Sequence, residues 1–173
     1  MDPEAHFKPL NWIESTGGPL LLIEKTLLAH WHGSFGDGAA MTDYDRACEI
    51  ADYVGALEVG PGFGVVFGEE PFSTTWLPSQ ELLNSFIVRW VYAEDETKVR
   101  EVLRSLSIAD QWQATDVKLE IFNDELILFD SSCSGADVDS SLAIEISPGS
   151  YAIQTLHYNP NDEVSLILHR FVA

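Results

Sequence analysis

The sequence is short of basic residues: Lys and Arg together number nine against 28 Asp and Glu, and the formal charge is −19. A surface this negative repels nucleic acid and anionic membranes, so we expect neither as a direct partner. Basic proteins and cations are the partners that such a charge attracts. The bases are also unevenly placed, since only Lys118 and Arg170 occur between Ser105 and the C-terminus.

Cysteines and long apolar runs are scarce as well. Cys48 and Cys133 are too few for the disulfide framework of a small secreted protein, which favours a reduced, cytoplasmic protein. No apolar run approaches the roughly 20 residues of a membrane-spanning helix, and the acidic start of the chain differs from a signal peptide. The 173 residues, 46% of them hydrophobic, suffice for one globular domain, which we expect to span residues 1–173.

Two short amphipathic helices are predicted. The first runs from Asp43 to Val54, with apolar residues at helical spacing, Thr42 or Asp43 as the cap and Gly55 after the end. The second runs from about Asp95 to Leu106, with acids leading and bases trailing as the helix dipole favours. The expected core residues are Ala47, Ile50, Val54, Val99, Leu103 and Trp90.

Most of the remaining chain predicts short strands separated by turn residues. Asn123 and Asp124 form a predicted hairpin turn, and residues 159–162 a turn between the last two strands. Consecutive strands with short connections favour an antiparallel arrangement. We therefore predict an α+β fold, a largely antiparallel β-sheet with the two helices packed on one face. The predicted strands are 20–23, 64–68, 86–92, 117–122, 126–129, 142–146, 151–157 and 164–171.

No complete catalytic motif occurs in the sequence. The segment from Gly60 to Gly64 lacks the third glycine of G-x-G-x-x-G, where Val65 stands, and it has no Lys for a Walker loop. A turn between two strands is the prediction for this segment. No serine lies in a G-x-S-x-G motif. We therefore expect a protein that is not an enzyme and that holds no cofactor.

The histidines do not complete a zinc site. On a strand, His30 and His32 would project to the same face, but no third ligand is evident. If residues 159–162 form the last turn, His169 lies opposite about Ala152. His157 and His169 would then be about 15 Å apart at ~3.4 Å per residue, too far to share an ion. Structural or surface histidines are the prediction.

The segment from Asp130 to Asp139 has the outline of the first half of a calcium loop. Oxygen-bearing side chains recur at Asp130, Ser132 and Ser134, but the twelfth position is Ser141 rather than a bidentate Glu. A solvated acidic loop is the prediction. A cation-binding or hydrolytic enzyme that uses this loop is the alternative function.

Four segments in a fixed order carry a family resemblance: WIESTGGPL at 12–20, DYDRAC at 43–48, VRWVYA at 88–93 and PGSY at 148–151. The first of them is the most specific. Together they resemble immunity protein 21, a family of bacterial polymorphic toxin systems, over nearly the whole chain. The resemblance implies a small cytoplasmic protein that binds a cognate toxin domain and blocks it without chemistry of its own.

An acidic inhibitor suits a basic toxin such as a nuclease, because complementary fields speed the encounter. The expected contacts are acids at predicted turns, where no helix end accounts for them, together with a tryptophan in the predicted loop 74–78 that could anchor a partner. These candidate partner-binding residues are Asp124, Glu125, Asp137, Asp139 and Trp76. A protein whose acidity reflects a salty habitat is a further alternative, which rising stability in molar salt without a partner would favour.

Overall fold

The computed structural model describes residues 8–36, 38, 40–68, 70, 72–78, 85–107 and 111–173. Within them lie ten β-strands, two α-helices and one 3₁₀ helix. In chain order these are β1 (Leu20–Glu24), the 3₁₀ helix (Lys25–His30), α1 (Asp43–Cys48), β2 (Gly55–Val59), β3 (Gly62–Phe67), β4 (Ser73–Leu77), β5 (Phe86–Tyr92), α2 (Glu96–Arg104), β6 (Gln113–Ile121), β7 (Glu125–Asp130), β8 (Ser141–Glu145), β9 (Gly149–Asn161) and β10 (Val164–Val172). The pairings between these strands are antiparallel, which confirms the predicted α+β class.

The strands form two sheets, and the prediction of a single sheet is wrong. Sheet I has the order β2-β3-β1-β7-β8, and sheet II has the order β4-β5-β10-β9-β6. Consecutive strands β6 and β7 belong to different sheets, so the predicted hairpin at Asn123 and Asp124 is also wrong. These residues cross from sheet II to sheet I. A short connection does not by itself show whether the next strand pairs with the previous one or crosses to another sheet.

The main core lies between the two sheets. Leu22 and Leu128 point into it from sheet I, and Ile87 and Ile153 point into it from sheet II, all of them fully buried. Alternate residues of a strand share a face, so the inner face of each sheet carries rows of apolar side chains that pack against the opposite sheet. The sandwich therefore removes the inner faces of both sheets from water.

Each sheet also buries its outer face. Helix α2 packs Val99 and Leu103 on sheet II, whereas the 3₁₀ helix and α1 cover sheet I with Leu27 and Ala47. The two α-helices thus lie on opposite sides of the sandwich and not on one face of a single sheet. The layers are helix, sheet, sheet and helix.

Most of the predicted core residues are buried, namely Ala47, Val54, Val99 and Leu103. The predictions for Ile50 and Trp90 are wrong, because both side chains are only half-buried. Each packs against the margin of an outer core. Trp90 lies edge-on to Trp12, with 5.1 Å between ring centroids, so the two rings shield each other at the surface.

Helix α1 begins with a predicted cap, Thr42, and Asp95, predicted as about the first residue of α2, is the cap of that helix. The Thr42 side chain accepts from the Asp45 N–H, and the Asp45 carboxylate accepts from the Thr42 N–H, which is a reciprocal capping box. At α2 the Asp95 side chain accepts from the Lys98 N–H at 3.0 Å.

Among the residues that the structure describes, no helix is long and apolar enough to cross a membrane.

Helix α1 is shorter than predicted, since it ends at Cys48 rather than at Val54. The chain beyond it is held by sheet I: the Gly68 N–H donates to the Tyr53 carbonyl at 3.1 Å. Gly55 is therefore the first residue of β2 and not a helix cap. The apolar residues from Glu49 to Val54 keep a helical spacing, but this segment is not helical and is hydrogen-bonded to Gly68 instead.

Strands β2 and β4 have no counterpart in the predictions. Trp76 lies on β4, so its predicted loop is wrong. The turn predicted for Gly60 to Gly64 is confirmed at Gly60 and Pro61, which connect β2 to β3, but β3 already begins at Gly62. Gly60 has a φ of 53° there, a conformation that glycine adopts without a steric penalty.

The last hairpin turns later than predicted. Strand β9 continues to Asn161 and β10 begins at Val164, so the turn is shorter than residues 159–162. As a result His169 lies opposite Thr155 and not opposite Ala152. The predicted separation of His157 and His169 rested on the wrong register.

Candidate partner-binding surface

Several connections meet at one end of the sandwich. Strands β1, β2, β6, β8 and β10 end there, and β3, β7 and β9 begin there. The connections from β6 to β7 and from β8 to β9 cross between the sheets at this end. We call this part of the surface the turn end; it comprises residues 60–63, 122–125, 145–148 and 172–173.

A buried carboxylate organises the turn end. Glu24, the last residue of β1, accepts from the main-chain N–H groups of Phe122 and Asn123 and, at 3.0 Å, from the Asn123 side-chain amide. Burial alone would raise the pKa of Glu24, but these hydrogen bonds outweigh it and lower the pKa. An ionised side chain of sheet I therefore fixes the crossing from sheet II.

The turn end exposes two aromatic side chains. Phe122 is 76% exposed and Phe63 is 55% exposed. Phe122 is held by the Glu24 carboxylate through its main chain, whereas Phe63, the second residue of β3, lies opposite Glu58. Aromatic side chains are enriched among the residues that anchor protein interfaces.

Acidic residues stand next to Phe122 in the sequence. Asp124 and Glu125 follow it and are exposed, and Glu125 lies directly opposite Glu145 of β8. Lys25 approaches Glu125 at 3.8 Å, but both side chains are more than half exposed, so this ion pair contributes little to stability. Two of the predicted partner-binding acids thus border an exposed aromatic residue.

The other two predicted acids lie beyond the far end of β7. Asp137 and Asp139 are exposed in the loop between β7 and β8. The loop folds back onto the end of the 3₁₀ helix, where the Gly135 N–H donates to the Trp31 carbonyl at 2.9 Å. Asp137 and Asp139 are therefore displayed on the outer side of sheet I rather than at the turn end.

Asp130 is engaged within the fold. One carboxylate oxygen accepts from the Thr16 N–H at 2.8 Å and from its hydroxyl, and the other accepts from the Ser132 N–H at 2.9 Å. Burial would raise the pKa of Asp130, but these bonds outweigh it and lower the pKa. Its oxygens therefore tie the segment around Thr16 to the end of β7 instead of pointing into the loop as calcium ligands would.

The histidines are also accounted for by the fold. His30 ends the 3₁₀ helix, so it does not lie on a strand with His32, the arrangement in which both side chains would project to the same face. His169 is fully buried beside Thr155, and burial, followed by the nearby Arg89 charge, lowers its pKa well below the ordinary value. Among the described residues, no group of three His, Cys, Asp or Glu side chains could hold a metal ion.

Trp76 lies beside a cleft at the turn end. It packs edge-on against Phe171 at 6.2 Å, and a cleft of about 590 Å³ opens next to both, lined also by Ile146 and Tyr151. The Ile146 N–H donates to the Asp124 carbonyl. The structure therefore brings Trp76 to the same end of the sandwich as two of the predicted acids.

Part of the positive charge is withdrawn from the surface. Arg89 is 2% exposed and donates to the main-chain carbonyls of Tyr53, Gly68 and Glu70. Arg100 is buried as well and donates to a carboxylate on its own helix at 2.9 Å. The buried carboxylates Glu24 and Asp130 offset these two bases, so the described surface keeps the negative balance of the composition.

Sequence reasoning missed Phe122 and Glu145 as surface features. A signal for both was present, since residues of a half-buried strand alternate. Val117, Leu119 and Ile121 occupy alternate positions of β6 and are buried. Phe122 therefore falls at an outward-facing position, although its side chain is apolar. Leu142 and Ile144 are buried at alternate positions of β8, so Glu145 likewise falls at an outward-facing position.

The fold and this surface define an acidic domain with an exposed aromatic and carboxylate-rich end, suited to contact with another protein. The sequence model of the family "immunity protein 21" matches residues 11–164. The chain therefore belongs to the immunity protein 21 family, the immunity proteins of toxin systems. Searches of curated proteins and of solved structures found no match.

Proposed function

We propose that this chain neutralises a cognate toxin domain by binding and covering it, without chemistry of its own, in the bacterial cytoplasm. Family membership supports an immunity role. The observation that carries the mode of action is Phe122, a mainly solvent-exposed aromatic side chain on a fixed main chain, with Asp124 and Glu125 directly beside it. An apolar centre with a charged rim is the usual anatomy of a tight protein interface.

The toxin domain in this proposal is basic, for example a nuclease. A formal charge of −19 gives a field that accelerates the approach of a positive partner. Exposed acids steer such an encounter, whereas desolvated apolar contacts determine how long the complex lasts. We assign steering to Asp124, Glu125 and the loop acids, and lasting contact to Phe122 with the cleft beside Trp76.

The test is the association rate of the purified chain with the toxin domain encoded beside it. Charge reversal of Asp124 and Glu125 to Lys should slow association several-fold at low salt, and reversal of Asp137 and Asp139 to Lys should do the same. Both effects should shrink near about 0.5 M salt, where the screening length falls to a few ångströms. Unfolding midpoints should stay near the wild-type value, since the four side chains are exposed.

A matched control changes the same net charge elsewhere. Asp52 and Asp116 border a second cleft at the opposite end of the sandwich, and their joint reversal to Lys should slow association less than reversal of Asp124 and Glu125. Equal slowing by both double variants would show that only net charge matters and would remove the turn end from the interface. A wild-type chain that neither binds nor inhibits the toxin domain would refute the proposed function itself.

A further inference from the structure

Strand β8 differs from the other three edge strands of the sandwich. The edge of β4 is bonded to Ile13, which exchanges two main-chain hydrogen bonds of 2.9 Å with Thr74. The edge of β2 is covered from α1, where Arg46 donates to the Glu58 carbonyl at 2.7 Å. Strand β6 is broken by a shift of register between Ala114 and Lys118. A bulge of this kind interrupts an edge for further pairing.

The outward groups of β8 follow from its register. The Ile146 N–H donates to the Asp124 carbonyl at 3.2 Å, and Ile146 and Asp124 are opposite each other when the β7–β8 register is extended. In an antiparallel pair, bonded and non-bonded positions alternate. Ser141, Ala143 and Glu145 are therefore non-bonded positions, with N–H and C=O directed away from β7.

These outward groups have no partner in the described part of the chain. The hydrogen bonds of the described residues include none from the main chain of Ala143 or Glu145 to a further strand. Both residues are exposed. Strand β8 thus presents an edge that can accept another strand.

A positive charge on a neighbouring strand would stabilise the side chains at this edge. Glu125 and Glu145 occupy a non-bonded pair, a geometry that places opposed Cα atoms about 4.5 Å apart. Like charges at such positions are mutually unfavourable, and Lys25 is only an exposed partner of Glu125, at 3.8 Å. A Lys or Arg placed beside Glu145 on a neighbouring strand would relieve the repulsion.

The opposite face of the same edge carries aromatic side chains, together with Arg170 and two serines. Glu145 and Ile146 line the cleft of about 590 Å³ that also contains Trp76, Tyr151 and Phe171. A strand added beside β8 would direct alternate side chains to the two faces of sheet I. Basic residues would meet the carboxylates on the outer face, and apolar residues would reach the cleft on the inner face.

We propose that the toxin domain binds by adding a strand to β8, and that this strand alternates basic with apolar side chains. The inference rests on the proposed function and specifies how its partner is held. Main-chain hydrogen bonds to Ala143 and Glu145 supply the continuity of the sheet, and Glu125, Glu145 and Trp76 select the strand.

The principal test is Ala143→Pro with Ala143→Val as the matched control. Proline removes the outward N–H of Ala143 but no bond to β7, and it is compatible with an edge position. Valine keeps the N–H and suits a strand. Ala143→Pro should weaken binding of the neighbouring toxin domain at least tenfold, whereas Ala143→Val should bind within about threefold of the wild type, because only proline removes an edge hydrogen bond. Equal affinity of the two variants would overturn the proposal.

Amide exchange of the wild-type chain provides a second measurement that needs no variant. The Ala143 and Glu145 amides should exchange rapidly in the free chain and at least tenfold more slowly with toxin domain bound, because strand addition gives each an acceptor. Unchanged exchange at both amides would overturn strand addition. If the complex forms but exchange at both amides is unchanged, the proposed function stands and strand addition is refuted. If no complex forms, both the proposed function and strand addition are refuted.

A second copy of this chain is the competing occupant of the edge. Sedimentation of the free chain at rising concentration should show a monomer, since two copies of β8 would bring carboxylates together. A stable dimer with the Ala143 amide already protected would assign the edge to self-association and refute the proposal.

Discussion

Glu24 joins the two sheets at the turn end, so its replacement tests how the candidate surface is held. Glu24→Ala removes the acceptor of the Phe122 and Asn123 N–H groups and of the Asn123 side-chain amide. A hydrogen bond to a charged group contributes about 1.5–3 kcal/mol, and an N–H left unpaired costs less where water can reach it. Because Phe122 and Asn123 are exposed, we expect a loss of about 2–4 kcal/mol in the free energy of unfolding.

The pH dependence follows from the lowered pKa of Glu24 in the folded chain. A group whose folded pKa lies below its unfolded pKa adds stability above the unfolded value, and this stability is lost as the pH falls through the folded value. Urea unfolding at pH 7 should therefore show the full difference between the wild type and Glu24→Ala. The difference should narrow below about pH 4, where glutamate becomes protonated.

The control is Glu125→Ala, which removes an exposed carboxylate paired with Lys25 at 3.8 Å. It should change the free energy of unfolding by less than about 1 kcal/mol. A loss below about 0.5 kcal/mol for Glu24→Ala, the range of ordinary surface substitutions, would refute the role assigned to this residue. A large loss that does not depend on pH would refute the ionic part of the argument.

Two further substitutions test the packing of α2 and the edge of β8. Leu103→Ala removes a buried side chain of the outer core on sheet II and should lower the free energy of unfolding by about 2–5 kcal/mol in urea titrations; a loss under about 0.5 kcal/mol would contradict that packing. Glu145→Gln removes the charge opposite Glu125 and should raise the stability of the free chain by about 0.2–1 kcal/mol at low salt. The same change should weaken toxin binding, and a variant that is no more stable than the wild type at low salt would show that the two carboxylates do not repel measurably.

The elements predicted best from the sequence are those with local signals. Strand β5 spans Phe86–Tyr92 as predicted, because its β-branched and aromatic residues are bounded by turn residues. Helix α2 begins one residue after the predicted Asp95, which caps it, and ends within two residues of the predicted Leu106. Its cap and its apolar stripe both lie within a dozen residues, so no distant contact is needed to define them.

The division into two sheets depends on distant contacts and could not be predicted in the same way. The crossing at Asn123 is fixed by Glu24, which lies 99 residues away along the chain. The chain after α1 is held by the Gly68 N–H, which donates to the Tyr53 carbonyl. In both places a local pattern, a turn dipeptide or a helical period, is compatible with two structures, and a remote hydrogen-bonding group selects one of them.

The candidate surface was predictable in its charges and not in its shape. Asp124 and Glu125 stand at a connection and are exposed, as their position near turn residues indicates. Their proximity to Trp76 could not be derived from the sequence, because β4 and β7 belong to different sheets. Strand order places them at one end, and strand order is a property of long-range pairing.

The acids at the edge of β8 would both oppose self-association of this chain and favour a basic partner. An open edge invites pairing with any extended chain, and charged side chains are a common protection against it. Glu145, opposite Glu125, would oppose a second copy of this acidic chain and would favour a strand that carries Lys or Arg. The feature that keeps the free protein from associating with itself therefore also selects a basic partner, which links the composition of the chain to the edge that its fold leaves open.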